Sequence, residues 1–407
     1  MIPRTAANIL GKLASQFKIV AIVGPRQSGK STLVRSAFPD HLYQSLEDPD
    51  VREFATGDPR RFLNQNDRPM IIDEVQRCPE LFSYLQGIVD ADRRPGRYIL
   101  TGSQHFGLMD GIRQSLAGRV ATLTLLPFSY RELSQSPALP KTLDDILFQG
   151  MYPPIYDQGI DSVWWQKSYI DTYIQRDVRN MIQVRDMGRF QHFLRLCAGS
   201  AGRAVNLSEL GSECGISHPT AKAWISILEA SFIVFQLRPF HNNFRKRLRR
   251  TPRLYFYDTG LAARLIGMES PAHLSTHPER GFLFENWIIS EAVKTFHNRF
   301  NEPSLYYWRS QGGLEVDLLV ERGQRLYPCE CKSGATVRKE WLRPLEEWRH
   351  LAGAQAATGV LFYGGDTRTA RSAGDVIPWH QAGKFFARIL EPDDEQDSNT
   401  YSSNPKK

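Results

Sequence analysis

Over its first third the chain alternates short apolar runs with stretches of helical length. The runs are KIVAIV (18–23), HLYQSLED (41–48), PMIIDEVQ (69–76), RYILTGSQ (97–104) and VATLTLLP (120–127). Each is short and rich in β-branched or aromatic residues, which suits strands buried on both faces. Their alternation with helices predicts an α/β fold with a parallel sheet covered on two sides. Ahead of the first run, Ile9, Leu10, Leu13 and Phe17 fall on one stripe of an amphipathic helix.

The pattern changes after about residue 136. A helical region covers 141–196, and neither Pro nor Gly interrupts it between Asp161 and Met187. Its apolar content predicts packing against the first sheet. Residues 206–240 read as a short helix, a turn at Gly215, an N-cap at Ser217, a second helix and the strand-like FIVFQLRPF, the order of a winged helix-turn-helix. From about 280, a helix, a hairpin and further αβ elements predict a last domain. The expected divisions are 1–135, 136–200, 201–265 and 266–390, followed by a polar tail, 391–407, that lacks the apolar residues to fold.

Composition narrows the classes. A chain of 407 residues exceeds one typical core. No apolar run approaches the roughly 18 residues of a membrane span, and the first residues do not read as a secretory leader, so a cytoplasmic protein is expected. Five cysteines, at 78, 197, 214, 329 and 331, lack the paired spacing of a disulfide framework or zinc site and read as reduced thiols. The net charge of +7 permits a polyanionic partner but also serves solubility.

The candidate chemistry begins at VGPRQSGKST, residues 23–32, directly behind the first strand. Gly24, Pro25, Arg26, Gln27, Ser28, Gly29, Lys30, Ser31 and Thr32 form the pattern of a phosphate-binding loop, whose backbone amides wrap phosphates at a helix N-terminus. Lys30 would neutralise the β- and γ-phosphates and Ser31 would ligate Mg²⁺. MIIDE then supplies an acid for the metal, Asp73, and a base or water-positioning residue, Glu74. One strand later Thr101, Ser103 and Gln104 stand where open sheets bind ligands, with Ser103 as the sensor of the γ-phosphate. Arg119, just before the last strand, is a candidate for reaching a phosphate of its own or a neighbouring subunit. Solvated or capping roles are the competing readings of Ser103 and Arg119.

Taken together, GPRQSGKST, IIDEVQ, TGS, SLAGRV, TPRLYFYDTGLAARLIG and LEVDLLV…ECKSG resemble prokaryotic AAA-type ATPases that carry a C-terminal domain of unknown function. The resemblance spans about residues 4–390. It implies an AAA core, a winged helix and a restriction-endonuclease-like module of the PD-(D/E)xK kind. It also implies ATP binding through Gly29, Lys30 and Ser31, with Asp73 and Glu74 in the acid positions. The chain departs from the pattern at Cys331, where a branched apolar residue is more usual.

A second constellation lies in residues 314–333. Strand alternation places Val316, Leu318 and Val320 on one side and Asp317 on the other, while Glu330 and Lys332 share a face opposite Cys329 and Cys331. Glu285 falls in the apolar stripe of RGFLFENWIISEAVKTF, where a carboxylate needs a partner or a metal. Asp317 and Glu330 would hold Mg²⁺, Glu285 would support the metal or the water, and Lys332 would stabilise charge on the phosphate. The alternative is a salt-bridged relic. For nucleic acid, the second helix exposes only His218, Thr220 and Lys222, so a packing role competes with base reading. Arg245, Lys246, Arg247, Arg249, Arg250 and Arg253 form a denser cluster for phosphates, or a solvated loop. The expectation is a homo-oligomeric ATPase whose nucleotide state controls a DNA-directed, nuclease-like domain. Its rival is an ATP-dependent, DNA-binding regulator with an inert nuclease-like scaffold. A protein remodeller has less support, because no aromatic pore loop stands out.

Overall fold

The computed structural model describes residues 1–92, 94–103, 116–174, 187–241, 251–310 and 312–391. The five apolar runs form β1 (Ile19–Val23), β2 (Leu42–Ser45), β3 (Met70–Asp73), β4 (Tyr98–Gly102) and β5 (Val120–Thr124). They pair in the order β2-β3-β4-β1-β5, all parallel. β1, β3 and β4 are buried along their whole length, as runs without polar alternation require. The amphipathic start forms the helix Ala6–Ala14, which buries Leu10 and Leu13, while Ile9 and Phe17 pack at the edge of the same cluster.

The helical region contains Leu143–Gln149, Pro153–Asp157, Ser162–Tyr169 and Met187–Gly199. It is tied to the YDTG segment through Asp258. This carboxylate caps the helix Thr259–Leu265 by accepting from Leu261 N (3.0 Å) and also accepts from Met151 N (2.6 Å). Gly150, at φ +72°, makes room for it, since a Cβ there would stand 2.3 Å from the Asp258 carboxylate.

The helices Leu207–Glu213 and His218–Ala230 meet at a turn with Gly215 at φ +63°, and Ser217 caps the second by accepting from Thr220 N. Behind them β6 (Val234–Pro239) and β7 (Arg253–Phe256) run antiparallel, from Val234↔Phe256 to Leu237↔Arg253. This pair does not stand apart. β6 also pairs in parallel with β8 (Leu305–Arg309), so one eight-stranded sheet crosses the division expected at 265/266. The sheet continues through β9 (Glu315–Arg322), β10 (Arg325–Lys332), β11 (Val360–Tyr363), β13 (Gly374–Pro378) and the edge strand β12 (Thr369–Arg371).

The helix Arg280–His297 is the axis of the C-terminal half, buried without a break from Leu283 to Phe296. All five cysteines are buried and free. Among the described residues no helix is long and apolar enough to cross a membrane. Residues 392–407 of the expected tail lie outside the described residues.

Candidate functional site

The site grows from the end of β1, where the chain leaves the sheet at its C-terminal edge. Gly24 passes so close to the following connection that a Cβ would stand 2.1 Å from the Leu125 carbonyl oxygen. Gly29, at φ +88°, turns the loop into the helix Lys30–Ala37, so the loop ends on backbone amides suited to a phosphate. Lys30 is buried, and its ammonium donates to the carbonyls of Gly24 (3.1 Å) and Pro25 (2.7 Å). Burial lowers its pKa to about 8, against the pull of Glu74 and Asp73.

Asp73 ends β3 and is the hub of the acid cluster. It accepts from Ser31 Oγ at 3.0 Å on each oxygen, from Tyr43 OH at 2.6 Å and from Thr101 Oγ1. One hydroxyl beside one carboxylate at the mouth of a phosphate loop suits Mg²⁺, which takes few protein ligands and completes its shell with water and phosphate oxygens. Glu74 has a left-handed backbone, φ +55°, a conformation that costs a non-glycine residue on the order of 1 kcal/mol. Its N–H donates to Thr101 Oγ1 (3.3 Å), and its carboxylate accepts from Ser103 Oγ (2.8 Å) and from Gln76 Nε2. Ser103 therefore comes together with Glu74. Gln104 lies outside the described residues.

Arg119 does not join this group. It precedes Val120, which pairs with Ile19 at the opposite edge of the sheet, roughly 16 Å of strand from the loop. There it grips Asp90 through Nε (2.7 Å) and Nη2 (2.9 Å). The expectation that it reaches a phosphate of its own site is corrected by this placement.

Several residues that the sequence did not flag complete the pocket. Arg4 is nearly buried and donates to the Ser28 carbonyl of the loop (2.7 Å), to the Leu126 carbonyl (2.6 Å) and to Glu132 (3.1 Å). Trp165 Nε1 donates to Gln27 Oε1 (2.7 Å), and Tyr169 OH donates to the Arg26 carbonyl (3.4 Å). The loop is thus braced from the N-terminal segment and from the helical region. Between these walls lies a cavity of about 1100 Å³, lined among others by Arg4, Arg26, Lys30, Pro153, Trp165 and Arg131.

Glu132 leads onward. Besides Arg4 it accepts from Thr5 N (2.7 Å), Ser129 N (2.8 Å) and Ser129 Oγ (3.0 Å), which locks the short helix Tyr130–Leu133. In that helix Tyr130 N donates to Glu291 (2.9 Å), and its ring packs edge-on against Trp379 (5.2 Å) and Trp287 (6.0 Å). Glu291 is wholly buried and pairs with Lys294 at 3.3 Å. The phosphate loop and the axial C-terminal helix are therefore linked through the side chains of Arg4 and Glu132 and the short helix Tyr130–Leu133.

The second constellation also assembles, by a different route from simple alternation. β9 slips by one residue against β8, since Tyr306 opposes Leu319 while Trp308 opposes Val316. This bulge divides the expected apolar side: Val316 packs with Leu319, whereas Leu318 and Val320 join the main core. Asp317 sits at the slip, accepts from Cys331 N (2.9 Å) and meets Lys332 Nζ at 3.0 Å. Lys332 also meets Glu330 at 2.8 Å, while Cys329 and Cys331 enter the core behind. Glu285 accepts from Tyr255 OH (2.6 Å) and faces Arg253 at 3.6 Å. Burial, with Asp317 adding repulsion, pushes the Glu285 carboxyl up to about 8, and the same causes raise Glu330. Among the described residues no three His, Cys, Asp or Glu side chains are grouped so as to hold a metal ion. In this cluster the Lys332 ammonium bridges Asp317 and Glu330.

On the helix His218–Ala230, His218 and Lys222 are exposed and Thr220 is half-buried. Arg253 is corrected as a nucleic-acid contact: it is buried, ion-paired to Glu315 and Glu285, and stacked over Tyr307. The rest of its cluster, Arg245 to Arg250, lies outside the described residues.

Comparison with known proteins places this geometry. Residues 16–134 match the AAA domain, residues 140–272 a domain of unknown function (DUF8612), and residues 280–382 another domain of unknown function (DUF4143). The chain is 31% identical over 339 residues to the protein Rv2008c of Mycobacterium tuberculosis, covering 82% of this chain and 74% of that one. The protein Mb2031c of Mycobacterium bovis matches to the same extent. Among solved structures, the Walker-type ATPase PABY2304 of Pyrococcus abyssi is similar at 15% identity and a TM-score of 0.43, covering 65% of this chain and 96% of that one.

Proposed function

Because this chain belongs to the family of its mycobacterial relatives and carries an AAA domain at residues 16–134, we propose that it is an ATP hydrolase whose nucleotide state governs a DNA-directed, nuclease-like C-terminal unit. The observation that carries this reading is the linkage from the Ser28 carbonyl through the Arg4–Glu132 pair to the short helix Tyr130–Leu133, whose Tyr130 N–H donates to Glu291. On this reading Lys30 and the loop amides bind the phosphates, Ser31 and Asp73 hold Mg²⁺, and Glu74 orients the attacking water under the control of Ser103. The metal supplies charge neutralisation at the terminal phosphates. Arg119 is left to serve a neighbouring copy in a homo-oligomer. The winged-helix part and the basic residues Arg245, Lys246, Arg247, Arg249 and Arg250 guide DNA, and Asp317, Glu330, Lys332 and Glu285 form the cutting site in a cytoplasmic enzyme.

One observation favours a second reading, a nucleotide-dependent switch on an inert scaffold. Lys332 already neutralises Asp317 and Glu330, and Tyr255 and Arg253 already hold Glu285. Purified protein with ATP, Mg²⁺ and labelled DNA separates the two, scored for hydrolysis, retention and cleavage. The first reading expects all three. Hydrolysis and retention without cleavage of single- or double-stranded DNA, in Mg²⁺ or Mn²⁺, leaves the second, and no hydrolysis overturns both.

A further inference from the structure

A second cleft, of about 660 Å³, opens between the helix Tyr130–Leu133 and the C-terminal helix Ala382–Ile389. Its walls carry Arg131 from the ATPase domain and Arg368, Lys384 and Arg388 from the C-terminal half. Lys384 and Arg388, one turn apart, occupy the exposed stripe of a helix whose remaining residues are buried. Two nearby carboxylates are already engaged, Asp375 with Arg368 (3.2 Å) and Glu391 with Arg299 (3.7 Å). Among the described residues, Arg131 and Lys384 have no carboxylate partner.

We propose that this cleft binds the phosphate groups of a single nucleic-acid strand, gripped by Arg131 from one side and by Lys384 and Arg388 from the other. Cations converging from two walls suit successive phosphates, and a guanidinium matches two phosphate oxygens at once. The volume far exceeds one phosphate, and the rings of Tyr130 and His380 in the wall offer a base a flat surface. Arg131 also lines the nucleotide cavity, so strand and nucleotide share one side chain as a wall. The proposal rests on the DNA-directed reading above and gives it a location.

The test is fluorescence anisotropy of a labelled single-stranded oligonucleotide across salt concentrations, with the phosphate loop filled by a non-hydrolysable ATP analogue. Tripolyphosphate is titrated as a separate probe. Arg131→Gln/Lys384→Gln/Arg388→Gln is expected to bind roughly tenfold or more weakly at low salt, with a log–log salt slope smaller by about 2, at roughly 0.7 for each phosphate left without its cation. Lys384→Gln/Arg388→Gln alters only exposed side chains, leaves Arg131 in place and is expected to fall between. If wild type binds the strand and both variants match its affinity and slope, the cleft proposal is overturned while the DNA reading stands. If wild type binds no strand but takes up tripolyphosphate that the variants do not, the phosphate chemistry stands and the nucleic acid is rejected as its source. If wild type binds neither probe, the cleft proposal is overturned.

Discussion

Arg4 Nε meets Glu132 Oε1 at 3.1 Å, with 7% and 1% of the two side chains exposed, and the same guanidinium holds the Ser28 carbonyl of the phosphate loop. A residue ahead of the first strand thereby joins the loop to the segment that touches the C-terminal half. The pair is well satisfied, since Glu132 takes three further donors from Thr5 and Ser129. Removing one member would strand a buried charge.

Arg4→Ala is accordingly expected to destabilise the protein by about 3–5 kcal/mol, the range for breaking a buried pair from one side. Nucleotide affinity should fall by roughly tenfold, because the loop loses a charge-assisted anchor. The double variant Arg4→Ala/Glu132→Gln should recover part of the stability and none of the affinity. Urea denaturation and titration of a fluorescent nucleotide measure the two effects, and full stability in Arg4→Ala would refute the anchor.

The parts legible in the sequence are those written locally. β1, β3 and β4 are continuous apolar runs because helices cover both faces, and the phosphate loop is a spacing of glycines with a lysine, so both survive reading one window at a time. Arg4 has no such signal: its partner Glu132 lies 128 residues away, and only the fold brings them together. Arg119 and Asp90 illustrate the same limit. At Asp317 the local rule itself failed, since a bulge opposite Tyr306 and Trp308 shifted the side-chain alternation that would have sorted Val316 with Leu318. Arg253 looked like part of a solvated basic run, and its burial follows from Glu285 and Glu315, which belong to other elements.

Lys30→Ala and Glu74→Gln should separate binding from hydrolysis. Lys30 carries the charge enclosed by the loop, so its loss should abolish nucleotide binding at micromolar concentrations. Glu74 meets the pocket through a carboxylate held by Ser103, and the amide should preserve binding while hydrolysis slows by on the order of 10² or more. Titration of fluorescent nucleotide and phosphate release decide the matter. Equal loss of binding in both variants would undo the division of roles.

Lys332→Met should destabilise the C-terminal half, because Asp317 and Glu330 would then face each other with side chains only 10% and 3% exposed. The expected cost is about 2–4 kcal/mol near neutral pH, less at low pH where a proton can replace the ammonium. A divalent ion can replace it too. Thermal melts with added Mn²⁺ should therefore stabilise Lys332→Met by several degrees more than wild type. Identical Mn²⁺ responses would mean that the two carboxylates cannot act as a metal pair even when vacated.

Glu229 gives a prediction of pH dependence. It lies at the C-terminal end of the helix His218–Ala230, where the helix dipole disfavours an anion. Burial raises its pKa from 4.5 to about 7, with Arg238 and Gln236 pulling the other way. An acid whose folded pKa lies above its unfolded value holds its proton more tightly when folded. Its contribution is therefore neutral below about pH 4.5, turns unfavourable as pH rises from 4.5 to 7, and stays constant above that. Glu229→Gln removes the titration while keeping shape. At pH 8 the variant should be more stable than wild type by on the order of 1–2 kcal/mol, below the full linkage value because the site is partly solvated. At pH 4.5 the two should be equal. Urea midpoints at the two pH values measure the difference, and a variant equally or less stable at pH 8 would show that Glu229 is held by its neighbours rather than penalised by burial.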